Sequence, residues 1–203
     1  MNEPRPSDIH HPAESELFDE TLSCELALPA EFRLGSAVIR PGSAETLLRS
    51  VALVEDARAD DSHDERGDSA QLQRVEAKLD LAMVLLGRLV RHSTPELDLR
   101  PLRWSRRGIR LELGARTGAA AGSLGVIRLQ PCDWLPDHID LPVSILAEAA
   151  SGAGSCFLWL RFEPMSDGLE MALERHLFRL HRRQVADARR AVGRPPGRSG
   201  QAR

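Results

Sequence analysis

Apolar and polar positions alternate most clearly between residues 97 and 113 of the 203-residue chain. Alternation with a period of two is typical of a half-buried β-strand. Gly108 interrupts it and offers the backbone freedom of a tight turn. The pattern therefore predicts a hairpin. Its apolar positions are Leu97, Leu99, Leu102 and Trp104 on the first strand and Ile109, Leu111 and Leu113 on the second.

Short apolar segments bounded by turn-forming residues follow the hairpin, and another lies near the N-terminus. Short strands at such regular spacing are typical of a small barrel or sandwich. We therefore predict a mainly β fold with added helices, built on a six-stranded barrel whose core includes Trp104 and Trp159. The predicted strands span residues 22–34, 97–104, 108–113, 124–129, 141–149 and 155–162.

Residues 69–92 follow a different period, with apolar residues three and four positions apart. This spacing is typical of the a and d positions of a coiled coil. Apolar neighbours such as Met83, Leu85 and Val90 widen the contact surface, which favours a homotetramer over a dimer. The alternative is a core helix that packs only within its own subunit. The residues predicted to mediate oligomerisation are Leu72, Val75, Leu79, Ala82, Leu86 and Leu89.

The remaining segments suggest a single domain over residues 17–192. Residues 1–16 are polar and contain three prolines, so we expect them to be disordered. Ser43 can begin a short helix, and the acid-rich residues 55–68 predict a mobile linker to the heptad helix. Residues 43–92 would then form a helical insertion between the first two strands.

A C-terminal helix is predicted over residues 167–190, with Asp167 as its N-cap and arginines in its last turns. Residues 193–203 are rich in Gly, Pro and Arg and predict a flexible tail. The arginines of the helix could contact phosphates, so an arginine-mediated nucleic-acid-binding module is one alternative function. We prefer a basic helix end that meets acidic groups of the same chain.

Charge is distributed unevenly around a net value of −3. Residues 1–70 hold 16 acidic and 6 basic residues, and residues 71–203 hold 21 basic and 14 acidic residues. This asymmetry favours two differently solvated surfaces over an acidic tail folded onto a basic one.

The cysteines at positions 24, 132 and 156 are widely separated and match no metal-ligand spacing. We therefore expect no metal site, and a reducing cytoplasmic location. No signal-peptide layout is visible at the N-terminus, and no apolar run is long enough to span a bilayer.

The hairpin turn carries Arg103-Trp104-Ser105-Arg106-Arg107-Gly108. This segment resembles the [D/N]-x-S-x-x-G turn of PilZ domains, the small β-barrels with which bacteria sense cyclic di-GMP, and the order of predicted strands matches that family as well. The resemblance implies a PilZ-type barrel with a candidate ligand site. That degenerate site would comprise Arg103, Ser105, Arg106, Arg107 and Gly108.

Two departures from the PilZ pattern affect the ligand site. Arg103 stands where the family has an acid or an amide, so a donor replaces an acceptor. The family's R-x-x-x-R pair before the barrel is also missing, because only Arg88 and Arg91 lie shortly upstream. Arg106, Arg107 and Arg110 could form an anion-attracting patch, but we prefer to interpret them as solvated charges. We expect no cofactor and no cyclic di-GMP binding by the chain alone.

No catalytic motif, phosphate-binding loop or dinucleotide fingerprint is present in the sequence, so we expect no enzyme activity. The preferred function is a self-associating, PilZ-like signalling adaptor with a protein partner. By analogy, that partner would act in bacterial motility, type IV pili or virulence. A cyclic di-GMP receptor with a divergent site is the first alternative, and the nucleic-acid-binding module is the second.

Overall fold

Six antiparallel strands close into a barrel in the computed structural model of the chain. The structure describes residues 11–35, 39–40, 42–60, 97–135, 137–151 and 154–192. The strands are β1 (Ser23–Leu34), β2 (Leu99–Ser105), β3 (Gly108–Leu113), β4 (Leu124–Leu129), β5 (Ile139–Ala150) and β6 (Cys156–Phe162). The helices in these ranges are α1 (Pro12–Phe18), α2 (Ser43–Asp60) and α3 (Asp167–Val192). The predicted six-stranded barrel with a C-terminal helix is thus confirmed.

Strand β1 closes the barrel because it pairs with two neighbours in succession. Its first part, Ser23 to Pro29, pairs with β2, and its second part, Ala30 to Leu34, pairs with β4. The order around the barrel is β1-β2-β3-β6-β5-β4. Closure of this kind leaves no unpaired sheet edge.

The barrel core is built from alternating side chains of the strands, and in β5 this alternation ends at a register shift between Ile145 and Ala147. One row crosses five strands at a single level, because the register aligns Cys24, Trp104, Ile109, Leu160 and Ile145. All five are buried, which places Trp104 in the core as predicted.

Two apolar residues of the predicted strands lie outside the barrel core. Leu99 is 66% exposed, because it lies three residues from Leu102 and strand alternation therefore places it on the outward face of β2. Trp159 is buried outside the barrel, in a separate cluster with Leu17 and Phe18. Strand alternation explains this position, since the neighbouring residues of Trp159 point inward.

Helix α1 corrects the expected disorder of residues 1–16 from Pro12 onward, whereas residues 1–10 lie outside the described residues. Pro12 occupies the first turn, where its missing N–H is not needed, and His11 Nδ1 accepts a hydrogen bond from the Ala13 N–H at 3.1 Å. The helix then buries Leu17 and Phe18 against Trp159. Burial of these apolar residues stabilises a segment whose polar composition suggested disorder.

Helices α2 and α3 pack together against the barrel, with Leu48, Leu173 and Leu177 in its core cluster. The linker predicted from residue 55 is wrong up to Asp60, because Glu55 still belongs to α2. The predicted remainder of that linker and the heptad helix 69–92 lie outside the described residues.

Ion pairs to Glu55 connect α2 with α3. Its carboxylate lies 3.1 Å from Arg179 Nε and 2.5 Å from an Arg183 Nη. The pairs satisfy part of the basic charge of α3 within the chain.

Helix α3 is capped by Ser166 rather than by Asp167. The Ser166 Oγ accepts a hydrogen bond from the Leu169 N–H at 3.3 Å, as an N-cap side chain does. Among the described residues, none of the helices combines the length and the hydrophobicity of a membrane-spanning segment.

The buried residue His176 makes stability depend on pH. His176 lies on the buried side of α3, with the Trp104 ring tilted against its own. Burial lowers the pKa of His176 from 6.5 to about 4, whereas the nearby Glu55 carboxylate acts to raise this pKa. Between pH 6.5 and 4, the unfolded chain binds a proton that the folded chain does not. As the pH is lowered through this range, the free energy of unfolding should therefore fall by up to about 1.4 kcal/mol per pH unit because of His176.

Urea unfolding between pH 7 and pH 4 measures this dependence. We expect a His176→Leu variant to lose stability less steeply than the wild type below pH 6.5, and a variant of the half-exposed His181, His181→Gln, to follow the wild type. Identical pH profiles for the wild type and His176→Leu would contradict the assignment.

Candidate functional site

The hairpin between β2 and β3 places two arginines side by side on the outside of the barrel. Arg103 pairs with Arg110 across these strands, and Arg110 pairs in turn with Trp159 on β6. Like charges directly opposite one another destabilise a sheet. The row therefore needs a negative partner.

Glu14 of α1 supplies that partner. One carboxylate oxygen accepts hydrogen bonds from Arg103 at 2.8 Å and from Arg110 at 2.6 Å. The other oxygen accepts one from Trp159 Nε1 at 2.7 Å. Glu14 is only 8% exposed, so both of its oxygens leave water and are satisfied by the barrel.

Arg103 is held by further contacts as well. Its guanidinium donates to Ser23 Oγ at 3.0 and 3.1 Å and lies 4.5 Å from the centre of the Phe18 ring. The arginine that departs from the PilZ turn pattern thus has a structural role, because it binds α1 to the barrel.

Ser105 is turned toward α1 and is fully buried. Its hydroxyl donates to the Leu17 carbonyl at 2.7 Å and accepts from the Arg107 N–H at 3.1 Å. A serine hydroxyl has one proton, and that proton is used within the chain. The motif serine therefore fixes both the turn and the end of α1.

Gly108 allows two segments to approach the turn closely. A Cβ at this position would lie 2.1 Å from the Leu160 carbonyl oxygen and 2.9 Å from Leu17 Cδ2. A side chain here would force the backbone of β6 away, so packing alone accounts for the glycine.

Arg106 and Arg107 also have partners. Arg107 donates to the carbonyl oxygens of Glu16 and Asp19, each at 3.1 Å, and so caps the end of α1. Arg106 forms an exposed ion pair with Glu174 of α3 at 3.0 Å. Arg106 and Arg107 are exposed to solvent, in keeping with solvated charges, whereas Arg110 is buried on Glu14 and is neither solvated nor part of an anion-attracting patch.

An open cleft of about 770 Å³ lies beside the turn, between the end of α1 and the start of α3. Its walls carry both signs of charge, since Arg106, Arg107 and Arg161 face Glu16, Glu170 and Glu174. Arg161 is paired with Glu16 at 3.2 Å. The cleft therefore offers an anion no strong positive field.

The structure brings the five predicted ligand-site residues together at one turn. Helix α1 of the same chain packs against this turn. Sequence reasoning missed Glu14 and Leu17, which contact residues of the turn. The available sequence signal for α1 was Pro12, followed by an acidic residue and a Leu-Phe pair, since proline is favoured in a first helical turn. The six predicted oligomerisation residues lie outside the described residues.

Comparison with known proteins agrees with the barrel and its motif turn. A family model described as "Atypical PilZ domain, cyclic di-GMP receptor" matches residues 48–190. This chain belongs to the atypical PilZ family. The resemblance seen in the hairpin sequence is thereby confirmed.

Among solved structures, this PilZ domain is similar to a pathogenic protein from Xanthomonas campestris, described as a tetrameric PilZ domain self-assembled via a helical bundle. The two are 52% identical, the match covers 86% of this chain and 96% of that chain, and the TM-score is 0.76.

A second match is the Bacillus subtilis inhibitor of motility MotI/DgrA, at 16% identity, 44% and 43% coverage and a TM-score of 0.36. A similarity this low carries no argument. No curated protein matches the chain.

The Glu14 contacts should dominate the attachment of α1. Replacing Glu14 with alanine leaves two arginines without their carboxylate, one of them buried, so the free energy of unfolding should fall by about 3–5 kcal/mol. Glu16→Ala is the matched control, because Glu16 lies on the same helix and its pair with Arg161 is half exposed. We expect a loss of only about 0–1 kcal/mol there.

Urea denaturation of both variants at neutral pH is the measurement. Equal losses would show that the buried carboxylate contributes no more than a surface ion pair.

Proposed function

We propose that this PilZ domain is a non-enzymatic signalling adaptor that self-associates and does not bind cyclic di-GMP by itself. One observation carries the proposal. The polar groups of the motif turn are bonded to α1 of the same chain, through Glu14 and the Leu17 carbonyl.

Ligand binding at this turn would require α1 to leave. Departure would break the bonds to Glu14 and expose Leu17 and Phe18, each contributing about 1.5–3 kcal/mol when buried. Arg103 would then present a donor where the family motif presents an acceptor. Both effects act against cyclic di-GMP.

Self-association is proposed to use residues 69–92. The heptad positions from Leu72 to Leu89 fit a helical bundle, and the 52% identical Xanthomonas relative is described as a tetramer that assembles through one. A tetramer would present four barrels to partner proteins. We infer that the adaptor acts in the cytoplasm, in motility, pilus function or virulence.

A cyclic di-GMP receptor with a divergent site remains the second candidate, because the family model carries that description. The nucleic-acid-binding alternative loses support, because Arg179 and Arg183 of the basic helix are bonded to Glu55.

Calorimetric titration of the full chain with cyclic di-GMP tests the ligand proposal. We expect no binding heat at micromolar protein, because the turn is already occupied. Micromolar binding that is abolished by Ser105→Ala, and retained in Arg189→Ala at the far end of α3, would overturn the proposal in favour of a receptor.

Light scattering tests the assembly. Leu79→Asp and Leu86→Asp should reduce the mass below that of the wild type, because a charge in a bundle core is costly. Leu53→Asp, at an exposed leucine of α2, is the control and should keep the wild-type mass. An unchanged mass in the two heptad variants would contradict the proposed bundle.

A further inference from the structure

Helix α3 exposes apolar side chains on the side opposite the barrel. Phe178 is 55% exposed and Met171 is 54% exposed. Together with Arg175 and Arg182 they are spaced by four, three and four residues, which places them on one face of the helix. Large apolar residues gathered in this way are typical of interaction sites.

A groove of about 680 Å³ runs along this face, between α3 and the segment before β1. Leu22 and Phe178 provide apolar walls, and Arg175 and Arg182 lie at the same surface. We call these four residues the α3 groove. It is separate from the motif turn, although Arg106 borders both cavities.

The two arginines of the α3 groove differ from their neighbours in charge pairing. Arg179 is paired with Glu55, whereas Arg175 and Arg182 form no ion pair or hydrogen bond with any described residue. Two of the carboxylates bordering the groove are used elsewhere, since Glu174 pairs with Arg106 and Asp56 lies 3.9 Å from Arg179.

Of the acidic residues lining the groove, Glu20 alone has no ion-pair partner among the described residues. The surface therefore combines an exposed aromatic ring with a small excess of positive charge. That combination complements an acidic and apolar partner.

We propose that the α3 groove binds an acidic amphipathic helix of a partner protein. An apolar residue of that helix packs on Phe178 and Leu22, and its carboxylates pair with Arg175 and Arg182. The two arginines are seven residues apart on α3, about 10 Å along the axis, so carboxylates two turns apart on the partner match them. The inference rests on the proposed adaptor role and adds the chemistry of the partner.

Other occupants fit less well. Nucleic-acid binding uses several phosphate contacts, about 6–10 in a strongly salt-dependent case, and this groove has two uncommitted arginines. The acid-rich segment 61–68 of the chain contains no large apolar residue that could cover Phe178.

The probe is a fluorescein-labelled synthetic helix with leucines on one face and glutamates two turns apart on its flank. Fluorescence anisotropy with the full chain should show saturable binding. Phe178→Ser and Arg182→Glu should each weaken it by about tenfold or more, since a tenfold change corresponds to about 1.4 kcal/mol. Arg189→Glu is the matched control, because it makes the same charge change on the exposed end of α3 and should leave binding unchanged.

A charge-swapped pair sharpens the test. The double variant Arg175→Glu/Arg182→Glu should lose the acidic helix and gain binding of the same helix with lysines in place of the glutamates. Absence of binding by the wild type, or equal weakening by Arg189→Glu, would overturn the proposal.

Two further outcomes would assign the groove differently and also overturn it. A mixed-sequence oligonucleotide that displaces the peptide from the groove would indicate nucleic acid. A lower mass for Phe178→Ser in light scattering would indicate a second copy of the chain. Peptide binding measured by anisotropy depends neither on cyclic di-GMP nor on the 69–92 bundle, so failure of this proposal is distinguishable from failure of the proposed function.

Discussion

The buried carboxylate of Glu14 is the contact on which the outer surface of the barrel depends. Strand register places Arg103 beside Arg110, and Trp159 follows in the same row. Two guanidinium groups in such a position would repel one another and lose hydration. Glu14 bonds to all three side chains, which converts an unfavourable row into the attachment site of a helix.

Attachment of α1 through Glu14 changes how the motif turn is interpreted. In this atypical PilZ domain, Ser105 and Gly108 serve packing: the serine bonds to the end of α1, and the glycine permits close approach of β6 and Leu17. The turn can thus keep a recognisable pattern for structural reasons alone. Arg103 and Arg107 of the turn donate to the protein's own α1 and its C-terminal end, which is the physical basis for proposing an adaptor.

Helix α3 is amphipathic, with one side packed on the barrel and the other side exposed to solvent. Its inner side buries His176 and Leu177 against the barrel and bonds to Glu55 of α2. Its outer side leaves Phe178 exposed between Arg175 and Arg182, which form no ion pair with any residue that the structure describes. The distinction arises from packing, since arginines on both sides of the helix look alike in the sequence.

The sequence by itself determined the strands, the hairpin turn and the C-terminal helix, because period-two and helical patterns are local properties of the chain. The position of α1, the outward direction of Trp159 and the partners of the turn arginines were decided only by the tertiary structure. Glu14 lies 89 residues from Arg103 and 145 from Trp159 along the chain. No local pattern encodes such a meeting, because closure of the barrel and the register of three strands create the row that Glu14 binds.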